Sequence, residues 1–242
     1  MEPEPHERDL ADARRQRRWL IAASAVVVVA LAVIAIAIGG AGGDTAGTTT
    51  GRPAGRVAVG GLFAGIPQRG VELGSPRAPV TVTEFADLQC PYCGASAREE
   101  LPRVVARYVR PGRVRLVFRN LAFLGPDSLR GARVVAAAAL QNRMWQMVDL
   151  VYRNQGEENS GWVTDAYLRR VAAAAGVDVA RAFAQRGSVA ANAILEEAHS
   201  MGKAVDVKST PTFVIARGGR EVKRVTGSGA LEGALAEVLN AS

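Results

Sequence analysis

Val80-Thr81-Val82-Thr83-Glu84-Phe85-Ala86-Asp87-Leu88-Gln89-Cys90-Pro91-Tyr92-Cys93 is the stretch that decides how this chain folds. Its first seven residues alternate and are rich in β-branched side chains, the pattern of a strand. In that register Glu84 shares a face with Val80 and Val82. A carboxylate on an apolar strand face either titrates high or serves as a proton acceptor, whereas at a solvated strand end it does neither. The strand runs into Asp87-Leu88-Gln89-Cys90, and Pro91 suits the first turn of a helix, where its missing N–H is not needed. Cys90-Pro91-Tyr92-Cys93 therefore falls at a strand-to-helix junction. The free amides and dipole there favour a thiolate on Cys90. Cys93, one turn on, is placed to attack a mixed disulfide formed at Cys90.

Outward from this junction, the helix is predicted to continue to about Arg110 with a kink at Pro102, and Pro111-Gly112 ends it. Arg113 to Arg119 alternates and predicts a second strand. A helical block follows: Asp127 or Ser128 caps an alanine-rich helix, and Trp145, Val148 and Tyr152 recur at helical spacing. Asp165–Ala175, Asp178–Arg186 and Ser188–Val205 read as shorter helices. Thr212–Ala216 returns to strand, Gly218-Gly219 turns the chain, and Glu221–Val225 pairs back. The final helix sets Leu231, Leu235, Val238 and Leu239 on one face. The order β-α-β, helical block, β-β-α predicts an α/β fold whose helical insertion spans about residues 125–205.

The N-terminal region has a different character. Trp19–Ile38 carries no charge over 20 residues, enough at 1.5 Å per residue to cross a hydrocarbon core of roughly 30 Å. Arg14, Arg15, Arg17 and Arg18 precede it, so residues 1–18 are expected to be a cytoplasmic tail and 19–38 a transmembrane signal anchor. An apolar run of this length exceeds that of a cleaved signal peptide, although the small residues Gly39 to Gly43 would suit cleavage. Residues 39–61 read as a flexible extracytoplasmic linker, and residues 62–242 as the folded domain. The net charge of +7 belongs to the exported part, because residues 1–18 hold five acids and five arginines. Those basic residues are scattered, which argues against a nucleic-acid surface.

The chain has two cysteines, both in one motif. As a structural staple they would close a four-residue loop, worth about 2 kcal/mol in the chain-entropy model. A zinc site needs four ligands, and only His6 and His199 could join the thiolates; a two-thiolate copper(I) site is the least strained metal reading. No metal and no cofactor beyond a redox-active Cys90–Cys93 disulfide is expected. Trp145, Trp162 and Tyr152 read as core, and His199 as a surface or hydrogen-bonded histidine.

Thr83 to Cys93, followed far downstream by Ser209-Thr210-Pro211-Thr212-Phe213, resembles the DsbA-like branch of the thioredoxin superfamily, in its membrane-anchored bacterial form. The resemblance covers about residues 66–240. It implies a thioredoxin fold with a helical insertion, with Cys90 attacking, Cys93 resolving and Glu84 as the acid buried beneath them. Pro91 and Tyr92 would form the active-site loop. Pro211 would be a cis-proline preceded by Thr210, facing the disulfide and free to pair with an extended substrate.

The expected activity is extracytoplasmic thiol–disulfide exchange, introducing disulfides into exported proteins that carry thiols. A membrane redox partner would reoxidise the pair, and the catalytic domain is expected to be monomeric. The same residues would serve a reductase, and a copper(I)-handling module would keep Cys90 and Cys93 without needing Thr210-Pro211. An isomerase is disfavoured, because the linker is too short for the dimerisation domain such proteins carry.

Overall fold

The computed structural model describes residues 61–241. The predicted tail (1–18), membrane span (19–38) and linker up to residue 60 lie outside the described residues. Among the described residues no helix is long and apolar enough to cross a membrane.

The chain runs through strands β1 (Gln68–Arg69), β2 (Glu72–Leu73) and β3 (Val80–Ala86) into helices α1 (Pro91–Glu99) and α2 (Leu101–Val104). A π-helical turn, Val105–Val109, leads to β4 (Val114–Asn120). The helices α3 (Pro126–Ala139), α4 (Met144–Arg153), α5 (Asp165–Ala174), α6 (Val179–Gln185) and α7 (Val189–Ala204) follow. The chain closes with β5 (Thr212–Arg217), β6 (Arg220–Thr226) and α8 (Leu231–Asn240). Strands stand in the order β1-β2-β4-β3-β5-β6. The central strand β3 is parallel to β4 and antiparallel to β5. This is the expected α/β fold with its helical insertion: the sheet is mixed, and five helices lie between β4 and β5.

Alternation along β3 sets its two faces. Val80, Val82 and Glu84 are buried on one side, while Phe85 is buried on the other. There α7 comes so close that a Cβ on Gly202 would lie 2.8 Å from Leu121 Cδ2 and 3.6 Å from Phe85 Cδ1. Trp145 anchors the insertion to the sheet. Its ring meets Phe118 and Phe63 edge-on, at 6.0 and 6.3 Å between centroids, and its Nε1 donates to the Val71 carbonyl at 3.1 Å.

Three local features differ from the sequence reading. The helix after Cys93 breaks at Glu100 (φ −104°) rather than bending at Pro102, because Pro102 sits in the first turn of α2, where no N–H is required. The N-cap of α3 is Gly125 at φ 91°, not Asp127 or Ser128. Those two side chains are buried, and the Ser128 hydroxyl is turned inward to another partner. The two-residue strands β1 and β2, paired across Gly70, were not foreseen, since two residues show no alternation.

Truncation of Trp145 to alanine should lower the free energy of unfolding by about 3–5 kcal/mol, through a cavity and the loss of one of the two hydrogen bonds to the Val71 carbonyl, which keeps the Phe118 amide. Urea denaturation followed by far-UV circular dichroism reads this, and a loss below about 1 kcal/mol would contradict the packing described.

Candidate active site

Cys90 is the N-cap residue of α1, with extended backbone (φ −64°, ψ 119°), and Pro91 occupies the first helical turn. Its sulfur thus takes the place of a capping oxygen, above amides that have no helical partner. Cys90 is 5 % exposed and Cys93 0 %, and both are free thiols. Pro91 is exposed, and Tyr92 is 65 % exposed, so the middle of the motif faces solvent.

The environments of the two sulfurs are opposed. The Cys90 thiol falls from its ordinary value of 9.0 to about 6. A hydrogen bond from the Cys93 thiol is the main cause, and burial works against it. The Thr210 hydroxyl and the amides of Cys93 and Tyr92 lower it further, the amides from a longer range than a closed cap hydrogen bond. Thr210 also contributes a contact of the other sign, since its carbonyl accepts from the Cys90 thiol at 3.3 Å and so favours the protonated form. The donors outnumber it, and the net direction is down. Burial pushes the Cys93 thiol well above its ordinary value, and the neighbouring Cys90 and Glu84 add to that.

The Thr210–Pro211 peptide is cis, and it delivers the Thr210 carbonyl to Cys90 just before β5. Glu84 lies beneath the cysteines and is buried; desolvation, and then the charge of Glu100, push its carboxyl from 4.5 up to about 8. The structure therefore brings together Cys90, Cys93, Glu84, Thr210 and Pro211, residues separated by up to 127 positions (211 − 84). His199 stands apart, with its Nε2 against the Leu121 carbonyl.

The polar groups packed around the two cysteines did not emerge from the sequence. The Asp87 carboxylate, 0 % exposed, accepts from the Gln89 amide at 2.9 Å, the Leu124 amide at 3.0 Å and the Ser128 hydroxyl at 2.5 Å. Tyr152, from α4, donates its hydroxyl to the Asp87 carbonyl at 3.1 Å. Gln89 and Asn159 pair reciprocally: the Asn159 amide N–H donates to Gln89 Oε1 at 2.9 Å, and Gln89 Nε2 donates to Asn159 Oδ1 at 3.3 Å. Gln155 Nε2 donates to the carbonyls of Leu88 at 2.9 Å and Cys90 at 3.0 Å. Glu100, buried at the end of α1, accepts from Ser96 Oγ and from the amides of Gly229 and Glu232, and so caps α8. Among the described residues, no group of three or more His, Cys, Asp and Glu side chains is placed to hold a metal ion.

Such a site is equipped for thiol–disulfide chemistry, with one sulfur near the surface and favoured as thiolate, one buried and favoured as thiol, and a protonated carboxyl beside them. Comparison with known proteins agrees. The family model described as Thioredoxin matches residues 68–235, and the chain belongs to that family. It is 38% identical over 98 residues to the probable disulfide bond formation protein D of Bacillus cereus, an alignment covering 40% of this chain and 45% of that protein. The chain thus spans less than half the length of the curated relatives it matches first. Oxidised BdbD from Bacillus subtilis superposes with a TM-score of 0.62 at 20% identity, over 72% of this chain and 95% of that one. A thioredoxin-like oxidoreductase from Silicibacter pomeroyi gives 0.59 at 26% identity, over 75% and 96%. With its inserted helical block, the fold is that of the DsbA-like branch of the superfamily.

Glu84 links this site to stability. Its carboxyl holds a proton more tightly in the folded chain than in the unfolded one, so its contribution is fully present below pH 4.5 and is lost as pH rises to about 8. Cys90 in the dithiol form acts oppositely, adding stability as pH rises from about 6 to 9.0. Glu84→Gln removes only the first effect. The variant should therefore gain on the parent between pH 5 and 8, by on the order of a few kcal/mol. Urea midpoints across that range measure it, and a parent-to-variant difference that does not vary with pH would refute a protonated, buried Glu84.

Proposed function

We propose that this chain is an extracytoplasmic thiol:disulfide oxidoreductase that introduces disulfides into exported proteins. The opposition of the two sulfurs carries the reading. A pair whose outer member is stabilised as thiolate holds its reduced form at low free energy, and its disulfide is correspondingly oxidising. At pH 7 a thiol with a pKa of about 6 favours the dithiol form by about 1.4 kcal/mol, or roughly 30 mV. Relative to an unperturbed thiol pair, the sign is towards the oxidising side.

The steps follow from access and acidity. A client thiolate attacks Cys90 Sγ of the Cys90–Cys93 disulfide. A client–Cys90 bond forms, and the pair's own bond breaks onto Cys93. Cys93 lies in a buried site that disfavours its anion, and the protonated Glu84 carboxyl supplies the proton it needs. A second client thiolate then attacks the client sulfur of the mixed disulfide. Cys90 leaves as the stabilised thiolate, the client keeps the new disulfide, and the oxidoreductase departs with the two electrons. Tyr92 and Pro91 present the exposed face of the site, and Thr210 with Pro211 forms the wall on which an extended client lies.

Reoxidation is assigned to a membrane redox partner, met by a catalytic domain acting as a monomer and tethered through residues 19–38. Copper(I) handling would need Cys93 as a second thiolate, against the burial that opposes it.

The oxidised full chain, mixed with a reduced and unfolded disulfide-containing protein, should transfer its disulfide. Cys90→Ser should abolish transfer, as should Cys93→Ala, which has no disulfide to give; offered a disulfide-bonded client instead, the Cys90 thiolate of Cys93→Ala should displace one client thiolate and stay joined to the other client sulfur as an adduct on Cys90. Failure to transfer, with Cys90 titrating near its ordinary value of 9.0, would overturn the reading; stoichiometric copper(I) binding without exchange would replace it.

A further inference from the structure

The proposed chemistry uses Cys90, Cys93, Glu84 and the Thr210-Pro211 loop, but leaves unexplained why a glutamine from the insertion is set against the start of α1. Gln155 follows α4, 62 residues beyond Cys93 (155 − 93). Its single side-chain amide spans two carbonyls, Leu88 O at 2.9 Å and Cys90 O at 3.0 Å. The Cys90 oxygen already accepts the first helical hydrogen bond, from the Gly94 amide at 3.1 Å, so Gln155 is an additional donor to it. Room for this is made on α1 itself: a Cβ on Gly94 would lie 2.3 Å from Gln155 Oε1 and 2.8 Å from Arg98 Nη1.

The segment carrying Gln155 is fixed on both sides. Before it, Arg98 Nη1 donates to the Tyr152 carbonyl at 2.7 Å. After it, the Gln89–Asn159 pair docks the loop onto the same turn, and Trp162 packs over Gly156 so closely that a Cβ there would meet its ring at 2.7 Å. The amide is thus held by the insertion and aimed at the Leu88–Gln89 and Cys90–Pro91 peptides.

We propose that Gln155 is a positioning residue for Cys90, fixing the Leu88 and Cys90 carbonyls so that the Cys90 sulfur stays over the free amides of α1. The partial negative charge of those two oxygens lies close to the place where the thiolate forms, and the amide dipole of Gln155 offsets it. The titratable groups around the sulfur come from four other places: Glu84 on β3, Asp87 in the turn, Cys93 on α1 and Tyr152 on α4. None of them donates to the two carbonyls that Gln155 holds. This inference rests on the oxidoreductase reading and names a further residue of the same site.

The test is the pH profile of Cys90 alkylation by iodoacetamide in the reduced full chain, for the parent, Gln155→Leu and Gln155→Glu, with a thermal melt of each. Leucine keeps the bulk without the donors, and glutamate sets a negative charge against the two oxygens. The alkylation rate at pH 6 should fall about fivefold in Gln155→Leu, as for a one-unit rise in midpoint, and further in Gln155→Glu. Profiles that coincide with the parent, or a shift in leucine that glutamate does not exceed, would overturn the proposal whatever the melting temperatures. Should Gln155→Leu not fold, Gln155→Asn, whose amide is too short to span both carbonyls, must shift in the same direction. A parent profile centred near a free thiol's value would overturn the oxidoreductase reading and this proposal together.

Discussion

The carboxylate of Asp87 is the constraint on which this active site depends. It sits where β3 ends, with no exposed surface, and its acceptors are filled by the Gln89 and Leu124 amides and the Ser128 hydroxyl. Those partners come from three parts of the chain: the turn before Cys90, the loop after β4 and the first helix of the insertion. A buried carboxyl group is tolerated only when its oxygens are hydrogen-bonded, so the three segments are obliged to meet at one place. The Tyr152 hydroxyl on the Asp87 carbonyl brings in α4 as a fourth. Cys90 follows three residues later, and its amide donates to that same Asp87 carbonyl at 3.1 Å. The position of the reactive sulfur is therefore inherited from how one carboxylate is satisfied, rather than from the helix start alone.

Two further acids beneath the site divide the remaining tasks. Glu100 is surrounded by donors from Ser96, Gly229 and Glu232, which tie the end of α1 to the start of α8. Glu84 has burial without such compensation, and the charge of Glu100 adds to the cost of ionising it. The consequence is a protonated carboxyl beside Cys93, the sulfur that needs a proton when it leaves a disulfide. Two acids close together in a dry place here separate into one carboxyl satisfied by hydrogen bonds and one whose proton is held tightly.

How much of this was legible in the sequence follows from how local each feature is. The strand, the capping position of Cys90 and the inward register of Glu84 are fixed by neighbours within a few residues, and the sequence pattern carries them. Thr210-Pro211 is distant, and it was found through family resemblance rather than periodicity. Asp87, Gln89, Ser128, Gln155 and Asn159 were not found, because polar side chains in turns read as solvated until a partner 35 to 70 positions away is known. Glu99 and Glu100 make the point most sharply. They are the same residue side by side, one exposed and one buried as the cap of a helix that begins more than 120 residues later. No local signal distinguishes them, since the difference is created by where α8 packs.

Burial also orders the chemistry in time. Cys93 is wholly enclosed and Cys90 nearly so, with its sulfur beside an exposed tyrosine, so a macromolecular thiol can approach the pair from the Cys90 side alone. The first bond must then form at Cys90, whichever direction electrons flow. What the opposed environments add is the ease of the last step. A thiolate held by Cys93, Thr210 and the helix amides is a good leaving group, so a mixed disulfide at Cys90 is one from which that sulfur departs readily. Access fixes which sulfur is attacked, acidity fixes which product is released, and both descend from a cysteine placed at a helix cap over a buried partner.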